Sequence, residues 1–413
     1  KGLSKTFGPS DQICAGVNIH FIKGNEKDLD MIAAAGFKFI RMDFSWQSTE
    51  RTKGVYNWEN YDELTRNLSK RGLRAIYILD YSNSLYEEPV SSTNPLTSKG
   101  QKATSSPQHE ESITAFARWA AAAAEHFKNN NIIWEIWNEP NISFWKPKPD
   151  VTQYTTLALA TCKAVKKVVP NAIIIGPASS EIPLKFIEPF LASGILQYLN
   201  AVSVHPYRDY SKSPETAVAD YKKLHELIDR YTPASKKMIP IISSEWGYSS
   251  ATKGVSQEKQ AAYIVRMQLS NMLYGIPLSI WYDWKNDGND PNEHEQNFGT
   301  TLSDLTPKPA YKTIQLMNMQ LKNFSFLKRI TLENSNDFVL VFKNDKNQYK
   351  ITAWTTDAEH SVILNNRISG IIKATATDGN GNAKKLKTEK GILSLNLTAL
   401  PQYIALQGNI RLN

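Results

Sequence analysis

Two glutamates end short apolar stretches of this sequence, where a buried strand rarely carries a charge. Glu139 closes Ile-Ile-Trp-Glu-Ile-Trp-Asn-Glu-Pro at residues 132–140, and Glu245 lies within Ile-Ile-Ser-Ser-Glu-Trp-Gly at residues 241–247. A buried carboxylate is costly unless it is paired or used in chemistry. Two carboxylates in one cleft could hydrolyse a glycosidic bond, with one protonating the leaving oxygen and the other, ionised, attacking or directing water. The alternative is that each glutamate forms a structural ion pair.

Eight alternations of strand-like and helix-like segments could bring these two glutamates together. The strand-like segments are residues 14–20, 37–43, 73–80, 132–140, 172–176, 201–205, 240–246 and 278–284. The helix-like segments are residues 26–35, 57–70, 110–127, 152–169, 184–193, 214–231, 257–274 and 310–322. Such pairs predict an α/β fold, a (β/α)8 TIM barrel, whose active site lies at the C-terminal ends of the strands. An open doubly wound sheet is the alternative, although no Gly-rich phosphate-binding turn follows the first strand.

The sequence changes character after residue 324, where short alternating segments replace the pattern of strands and helices. Asn344-Asp345, Asp378-Gly379 and Asn380-Gly381 are typical of hairpin turns. We therefore predict a catalytic barrel over residues 1–323 and a small C-terminal antiparallel β-sandwich domain over residues 324–413. No Pro-, Gly- or Ser-rich linker separates the two parts, so they should pack together. Whether the second part binds sugar stays open.

Polar side chains at the ends of other predicted strands could join the glutamates. Arg41, on the second strand, could hold a carboxylate in its ionised form and so lower its pKa. His20 ends the first strand, and His205 and Tyr207 lie at and just after the end of the sixth. A tyrosine hydroxyl there could orient a nucleophilic carboxylate. A histidine at such a rim, taken alone, is more often structural than catalytic.

Aromatic residues cluster on or just after the fourth, seventh and eighth predicted strands. They are Trp137, Trp145, Trp246, Tyr248, Trp281, Tyr282 and Trp284. Flat apolar faces beside polar groups suit sugar rings, so this cluster indicates a carbohydrate ligand. Some of these residues must belong to the core, and we expect Trp281 or Trp284 to form the floor of the site.

Composition and motifs narrow the class of protein further. The 48 Lys and Arg against 40 Asp and Glu leave a formal charge of +8. The basic residues are scattered without interleaved aromatics, which argues against nucleic-acid binding and leaves an anionic polysaccharide open. No apolar run reaches the ~20 residues of a membrane span. No two histidines stand at i and i+4, Cys14 and Cys162 are far apart, and the acidic loop 283–295 matches no EF-hand, so we expect no metal and no cofactor.

The motifs together resemble those of clan A of the glycoside hydrolases. The resemblance covers the barrel and rests on Trp137-Asn-Glu-Pro140, Ser244-Glu-Trp-Gly247, Arg41 and His205-Pro-Tyr207. It implies a retaining mechanism in which Glu139 is the general acid and base, Glu245 is the nucleophile and Asn138 binds the sugar 2-hydroxyl. Retention would also place the two carboxyl groups ~5 to 5.5 Å apart.

Within the clan, the sequence looks most similar to family 39 and its bacterial exopolysaccharide-hydrolase branch. The similar stretches are Trp281-Tyr-Asp-Trp-Lys-Asn-Asp-Gly288, Asn297-Phe-Gly299 and Pro307-Lys-Pro-Ala-Tyr311. Family 39 members often carry a β-sandwich beside the barrel, which agrees with the prediction for residues 324–413. Family 5 looks less similar, because its members place a histidine after the third strand, where this sequence has Asp80-Tyr-Ser-Asn83.

These observations lead to one functional hypothesis with two alternatives. We expect a retaining endo-β-glycosidase that acts on a polysaccharide or oligosaccharide, either a bacterial exopolysaccharide or a β-linked plant glycan. An exo-acting β-xylosidase or β-glucosidase is the first alternative, and a non-catalytic carbohydrate-binding barrel is the second. The residues expected to bind substrate are Arg41, Asn138, His205, Tyr207, Trp281, Trp284, His20 and Trp246. We expect a monomer, secreted or periplasmic, because the start at Lys1 suits a mature chain after signal-peptide removal, although it would equally suit a shortened chain.

Overall fold

In a computed structural model, which describes residues 6–364 and 366–413, eight parallel strands form a closed barrel. Residues 1–5, on which part of the signal-peptide expectation depends, lie outside the described residues. The strands are β1 Ala15–Asn18, β2 Phe39–Ser45, β3 Arg74–Asp80, β4 Ile133–Ile136, β5 Ile173–Ser180, β6 Ala201–His205, β7 Ile241–Trp246 and β8 Ser279–Trp281. Each pairs with its sequence neighbours, and β1 closes the barrel against β8. The predicted (β/α)8 barrel is confirmed.

Helices around the barrel connect successive strands. They are α1 Glu26–Ala34, α2 Trp46–Thr49, α3 Glu59–Ser69, α4 Glu110–His126, α5 Val151–Val168, α6 Leu184–Ala192, α7 Ala217–Tyr231, α8 Gln257–Leu273 and α9 Pro309–Gln320. Side-chain oxygens accept from backbone N–H groups at the starts of several of these helices, as Ser45 does at α2, Asp150 at α5 and Ser256 at α8. A hairpin of Pro89–Thr93 and Gly100–Thr104 extends from the loop after β3. None of the helices among the described residues has the length and hydropathy to cross a membrane.

A layer of apolar side chains, drawn from seven of the eight strands, fills part of the barrel interior. It comprises Phe39, Ile76, Ile133, Ile175, Ala201, Ile242 and Ile280. Because side chains alternate along a strand, the residue two positions closer to the C-terminal rim points the same way. These positions include Arg41 on β2 and Glu135 on β4, both buried. A charged layer therefore lies directly beneath the rim.

The C-terminal region forms two antiparallel sheets. One sheet contains, in order, Ser325–Arg329, Asp337–Lys343, Tyr349–Thr355, Gln402–Leu412, Ile368–Thr377 and Ala383–Leu386. The other contains His360–Ile363, Ile392–Leu397 and Thr388–Glu389. Apolar residues of both sheets, among them Val339, Ile351, Leu393 and Leu395, share one core. The region is a two-layer β-sandwich, as the sequence predicts.

The six-stranded sheet of the sandwich packs directly on the barrel. Alternate residues of the strand Asp337–Lys343 enter two different cores: Val339 and Val341 belong to the sandwich core, whereas Phe338 and Phe342 belong to the core that includes the barrel helices. This strand is buried on both faces, which explains why its sequence is almost continuously apolar. The expectation that the two parts pack together is confirmed.

A polar contact joins the sandwich to α8. Arg266 on α8 donates to both carboxylate oxygens of Glu215 at 2.7 and 2.9 Å. The indole N–H of Trp354, in the sandwich, donates to the same glutamate at 2.8 Å. Helix α8 is buried along nearly its whole length, and α9 and the segment Pro214–Thr216 pack against it.

Candidate active site

The chain leaves β4 through two residues with left-handed backbone conformations. Trp137 and Glu139 have φ angles of 67° and 47°, which cost on the order of 1–3 kcal/mol each and are typical of functional sites. The strand therefore ends at Ile136, earlier than the sequence predicts, since these conformations interrupt the ladder. The backbone N–H of Glu139 donates to the carbonyl of Ala178 on β5 at 2.8 Å. This turn places Asn138 and Glu139 at the mouth of the barrel.

A bulge in β7 turns Glu245 toward the same mouth. Ser243 and Trp246 on β7 pair with Ser279 and Trp281 on β8, so three residue steps on one strand oppose two on the other. An extra residue of this kind shifts the alternation of side chains and often re-aims one of them next to an active site. Strict alternation would have put Ser244, rather than Glu245, on the interior face that Ile242 occupies.

Glu139 and Glu245 meet at the rim. One carboxylate oxygen of each and a ring nitrogen of His205 all lie within 4.8 Å of one another. The side chains of the two glutamates are only 10% and 12% exposed. This spacing is compatible with the ~5 to 5.5 Å of retaining glycosidases and shorter than the ~6.5 to 9.5 Å of inverting ones.

Arg41 is the centre of the hydrogen-bond network beneath the two glutamates. Its five N–H groups match five acceptors: Glu135 at 2.7 Å, Asn18 at 3.2 Å, Glu245 at 2.6 Å, Asn138 at 2.9 Å and Nε2 of His205 at 3.3 Å. The side chain is 1% exposed, so these bonds form in a medium of low dielectric constant, where they are strong. All five of these residues are thus held by one guanidinium group.

Removal of the Arg41 charge should destabilise the fold. Glu135 is fully buried, and within the described residues its second carboxylate oxygen has no hydrogen-bond partner. Arg41→Met should therefore lower the free energy of unfolding by about 3–5 kcal/mol, measured by urea denaturation, because Glu135 is left unpaired. The double variant Arg41→Met, Glu135→Gln should recover part of this loss. As a control, Arg230→Met removes an exposed ion pair with Glu188 and should lower the free energy of unfolding by less than about 1 kcal/mol. Equal losses of stability in Arg41→Met and Arg230→Met would contradict the prediction that burial of Glu135 makes the Arg41 charge necessary.

The contacts of His205 determine which of its ring nitrogens carries the proton. Burial lowers the pKa of His205 to about 4, so the ring is neutral. Because Arg41 can only donate, Nε2 of His205 accepts from it, and the proton resides on Nδ1. Nδ1 lies 2.8 Å from Oε1 of Glu139. His205 is therefore a hydrogen-bond donor to Glu139 and fixes the position of its carboxyl group.

The two glutamates have different electrostatic environments. Burial raises the pKa of Glu139 to about 7; Arg41 opposes this effect, and the negative charges of Glu135 and Glu181 add to it. Glu245 instead accepts two strong hydrogen bonds, from Arg41 at 2.6 Å and from the hydroxyl of Tyr207 at 2.8 Å. These two donors suit a carboxylate that keeps its negative charge. One glutamate is thus prepared to hold a proton and the other to remain ionised.

Asn138 is held between two groups that leave it little freedom. Its carbonyl oxygen accepts from Arg41, and its amide donates to the hydroxyl of Tyr81 at 3.0 Å. The ring of Tyr81 is stacked on Phe144, with centroids 5.6 Å apart and planes 6° apart. Tyr81 and Phe144 are both partly exposed, so they form an aromatic surface next to Glu139.

His20 lies at the rim beside residues after β8 that the sequence analysis did not assign to the site. Its Nε2 is 3.4 Å from a carboxylate oxygen of Asp283, and its ring contacts the edge of Tyr282 at 5.5 Å. Burial raises the pKa of Asp283 to about 7. Burial lowers the pKa of His20, but the contact with Asp283 and the negative charges of Asp283, Asp287 and Asp43 together outweigh this effect and raise the pKa to about 9. Glu295 is close enough to both rim glutamates for their charges, together with burial, to raise its pKa to about 7.

The three tryptophans predicted to bind substrate are all buried. The indole N–H of Trp281 donates to the carbonyl of Phe298 at 3.2 Å, and that of Trp284 donates to Asp28 on α1 at 3.0 Å. The guanidinium of Arg208 covers the ring of Trp246 at 5.5 Å. The half-buried aromatic ring at the end of β8 is instead that of Tyr282, the neighbour of Trp281 on the opposite face of the chain. Side chains alternate between the two faces of a strand, so a buried Trp281 implies that Tyr282 faces the other way, and this alternation could have identified Tyr282 from the sequence.

Two clusters in the described part of the chain have ligand atoms close enough for a metal ion. In the first, Glu139, His205 and Glu245, the Arg41 charge already serves as the cation beneath the carboxylates. In the second, His20, Asp283 and Asp287, the raised pKa of His20 makes the imidazole itself the positive partner of Asp283. The donor sets therefore do not require a metal, and the chemistry described below uses none.

A closed barrel with two converging glutamates at its rim defines a glycoside hydrolase, an enzyme that hydrolyses O-glycosyl bonds. The family model described as cellulase (glycosyl hydrolase family 5) matches residues 8–288. The chain belongs to this family, which is part of clan A. The resemblance to clan A is confirmed, whereas the match corrects the low rank that the sequence analysis gave to family 5.

Solved structures and a curated relative place the chain near family 39 as well. A family 39 glycoside hydrolase from the gut symbiont Bacteroides cellulosilyticus WH2 is 27% identical, with a TM-score of 0.81 over 96% of this chain and 81% of that one. A monomeric β-xylosidase from Caulobacter crescentus CB15, 16% identical over 96% of both chains, has a TM-score of 0.68 and shares the fold. A β-xylosidase from Caldicellulosiruptor saccharolyticus is 24% identical over 237 residues, which are 51% of this chain and 47% of the relative. The match thus spans about half of that relative's length.

Proposed function

We propose that the protein is a retaining endo-β-glycosidase that cleaves a polysaccharide by double displacement. The observation that supports this most directly is the convergence of Glu139 and Glu245 in different environments, one with a pKa of about 7 and the other bonded to Arg41 and Tyr207. Retaining hydrolysis needs this division between an acid and an ionised nucleophile. The roles of the residues follow from it.

In the first step, Glu245 attacks the anomeric carbon while Glu139 protonates the departing glycosidic oxygen. The bond between sugar and leaving group breaks as the ester bond to Glu245 forms, and the proton of Glu139 stays with the leaving group. Arg41 and Tyr207 orient the attacking carboxylate. Asn138, held by Arg41 and Tyr81, is placed to bond the sugar 2-hydroxyl, a contact that strengthens in the transition state.

In the second step, the ionised Glu139 takes a proton from water, and the resulting hydroxide equivalent displaces Glu245 from the sugar. Two inversions at one carbon retain the configuration. The Nδ1–H of His205 holds Glu139 in both steps, because a neutral imidazole can donate without competing for the catalytic proton.

Endo action is supported by the aromatic surface of Tyr81 and Phe144, which lies beside Asn138 and could hold a further sugar. Exo action is the alternative, because the named relatives include β-xylosidases. The polymer substrate also leads us to propose a secreted or periplasmic location, since polysaccharides do not enter cells intact. We propose a monomer, by analogy with the monomeric Caulobacter crescentus enzyme.

A panel of β-linked polysaccharides, beginning with xylan, would test this function. We expect oligosaccharides of intermediate length early in the reaction, with a fast fall in viscosity, and the β-anomer as the first product seen by proton NMR. Monosaccharide as the sole early product would favour exo action instead. An initial α-anomer would contradict retention, and no release from any β-glycan would contradict the function.

The pH dependence of kcat/KM should have an alkaline limb near pH 7. Glu139 must be protonated to act as the acid, and its pKa is about 7, so activity should fall as pH rises through that value. Glu181→Gln removes a negative charge that raises this pKa, so the limb should move to lower pH. Glu226→Gln, the same change at an exposed position on α7, should leave the limb in place. An alkaline limb at the same pH in both variants would contradict the conclusion that the charge of Glu181 raises the pKa of Glu139.

A further inference from the structure

A cavity with a volume of approximately 1670 Å³ lies on the outer side of the barrel, away from its mouth. It runs between the outer faces of α8 and α9 and the turns of the sandwich at residues 379–381 and 398–400. Both ends of α9 line it, so it is at least ~18 Å long at 1.5 Å per helical residue. We call this cavity the basic crevice and define it by five lining lysines, Lys38, Lys212, Lys259, Lys312 and Lys322.

The crevice carries an uncompensated positive charge. All five lysines are exposed, and none of them forms an ion pair with any residue in 6–364 or 366–413. Glu258 is the single acidic residue among the described lining, and the lining Arg266 is already paired with Glu215. Like charges collected in a concave surface focus the electrostatic potential and attract an anionic ligand.

The remaining lining suits a sugar polymer better than a nucleic acid. Hydroxyl and amide groups of Ser211, Ser213, Ser256, Asn380 and Thr398 lie along the crevice and can exchange hydrogen bonds with sugar hydroxyls. Single-stranded nucleic acids are usually held by exposed aromatic rings on which bases stack. Tyr263, the aromatic side chain among the described lining residues, is 4% exposed and offers no such face.

One end of the crevice is connected to the active site by a short loop. The loop after β6 carries both Tyr207, which donates to Glu245, and Lys212, which lines the crevice. The carbonyl of Lys212 accepts from the hydroxyl of Tyr248 at 2.9 Å, which fixes the loop against the segment after β7. A long polymer bound at the Lys212 end of the crevice can therefore extend along this loop toward the rim where Glu139 and Glu245 meet.

We propose that the basic crevice is a secondary binding site for an anionic, uronate-bearing stretch of the polysaccharide substrate. This inference rests on the proposed function for the sugar nature of the ligand and adds the sign of its charge. The lysines neutralise carboxylates of the polymer, and the hydroxyl groups that line the crevice form hydrogen bonds with its uncharged sugar residues. Binding in the crevice raises the local concentration of chain ends and internal bonds at the active site.

The test uses the full chain carrying Glu245→Gln, so that no turnover occurs, and measures binding of polygalacturonate by calorimetry at 150 mM salt. A triple variant that combines Lys38→Glu, Lys312→Glu and Lys322→Glu should bind polygalacturonate about tenfold more weakly, or weaker still. The matched control combines Lys163→Glu, Lys185→Glu and Lys223→Glu, which change the net charge equally at exposed helical positions outside the crevice. This control should weaken binding of polygalacturonate less than about twofold, because distant charges are screened. Neutral xylan should bind both triple variants alike.

Three results would overturn the proposal: no binding of polygalacturonate, equal weakening by the two triple variants, or tighter binding of single-stranded DNA that the crevice variant abolishes. The same lysine changes in the active chain should leave hydrolysis of a short neutral glycoside unchanged, which shows that the variant folds. Binding in the crevice without hydrolysis of any glycan would instead overturn the proposed function alone. The two failures are therefore distinguishable.

Discussion

Glu245→Gln should reduce kcat by on the order of 10^4-fold or more, the scale seen when a covalent nucleophile is removed. The amide is nearly the same size, its oxygen can still accept from Arg41 and its NH2 group can donate to the hydroxyl oxygen of Tyr207, but it cannot form the glycosyl ester. The fold should therefore survive while the first step fails. The measurement is the release of reducing ends from the preferred polysaccharide, together with thermal unfolding of the variant.

A chemical rescue separates loss of the nucleophile from loss of structure. In Glu245→Gly, azide can occupy the vacated space and attack the anomeric carbon of an activated β-glycoside, giving an α-glycosyl azide through a single inversion. Glu295→Gln is the matched control, since Glu295 lies close to both rim glutamates, and it should cost at most about tenfold. Full activity in Glu245→Gln would show that Glu245 is not the nucleophile.

Glu139→Gln should lower kcat/KM by about 10^2- to 10^4-fold on a substrate with a poor leaving group. A dinitrophenyl glycoside departs without a proton, so its first step should be affected much less. Because the variant has no acid to deprotonate, the alkaline limb near pH 7 should also disappear from the pH profile. The measurement is kcat/KM for both substrates between pH 5 and 9.

The two glutamine variants together distinguish the roles of the glutamates. If Glu245→Gln, rather than Glu139→Gln, spared the activated glycoside and lost the alkaline limb, the assignment of acid and nucleophile would be reversed. Equal losses on both substrates in both variants would indicate that neither glutamate donates the proton. His205 links these outcomes to structure, since its Nδ1–H bonds Glu139 and not Glu245.

The barrel could be predicted from sequence because each strand and helix is specified locally. Apolar runs such as Ile241–Trp246 and caps such as Asp150 need no long-range information. The meeting of Glu139 and Glu245 followed, since parallel strands of a barrel end at one rim. The bulge that turns Glu245 inward was not visible, because it depends on how β7 pairs with β8.

Burial of the tryptophans was harder to predict for a physical reason. A large aromatic ring serves a core and a sugar-binding face equally well, and composition does not distinguish them. The indole N–H of Trp284 donates to Asp28, a residue far away in sequence, and this contact was not visible in the local pattern. In the turn Asp80–Asn83, which led to the low rank of family 5, Asn83 donates to the carbonyls of Trp46 and Glu50 and so fixes the loop that brings Tyr81 to Asn138.

The order of strands in the sandwich has a consequence for synthesis on the ribosome. Gln402–Leu412 is inserted between Tyr349–Thr355 and Ile368–Thr377 and pairs with both. The six-stranded sheet therefore stays divided until translation has passed this strand. Apolar residues of the sandwich core, such as Val339 and Ile351, would be exposed during this interval, when chaperone binding competes with misfolding.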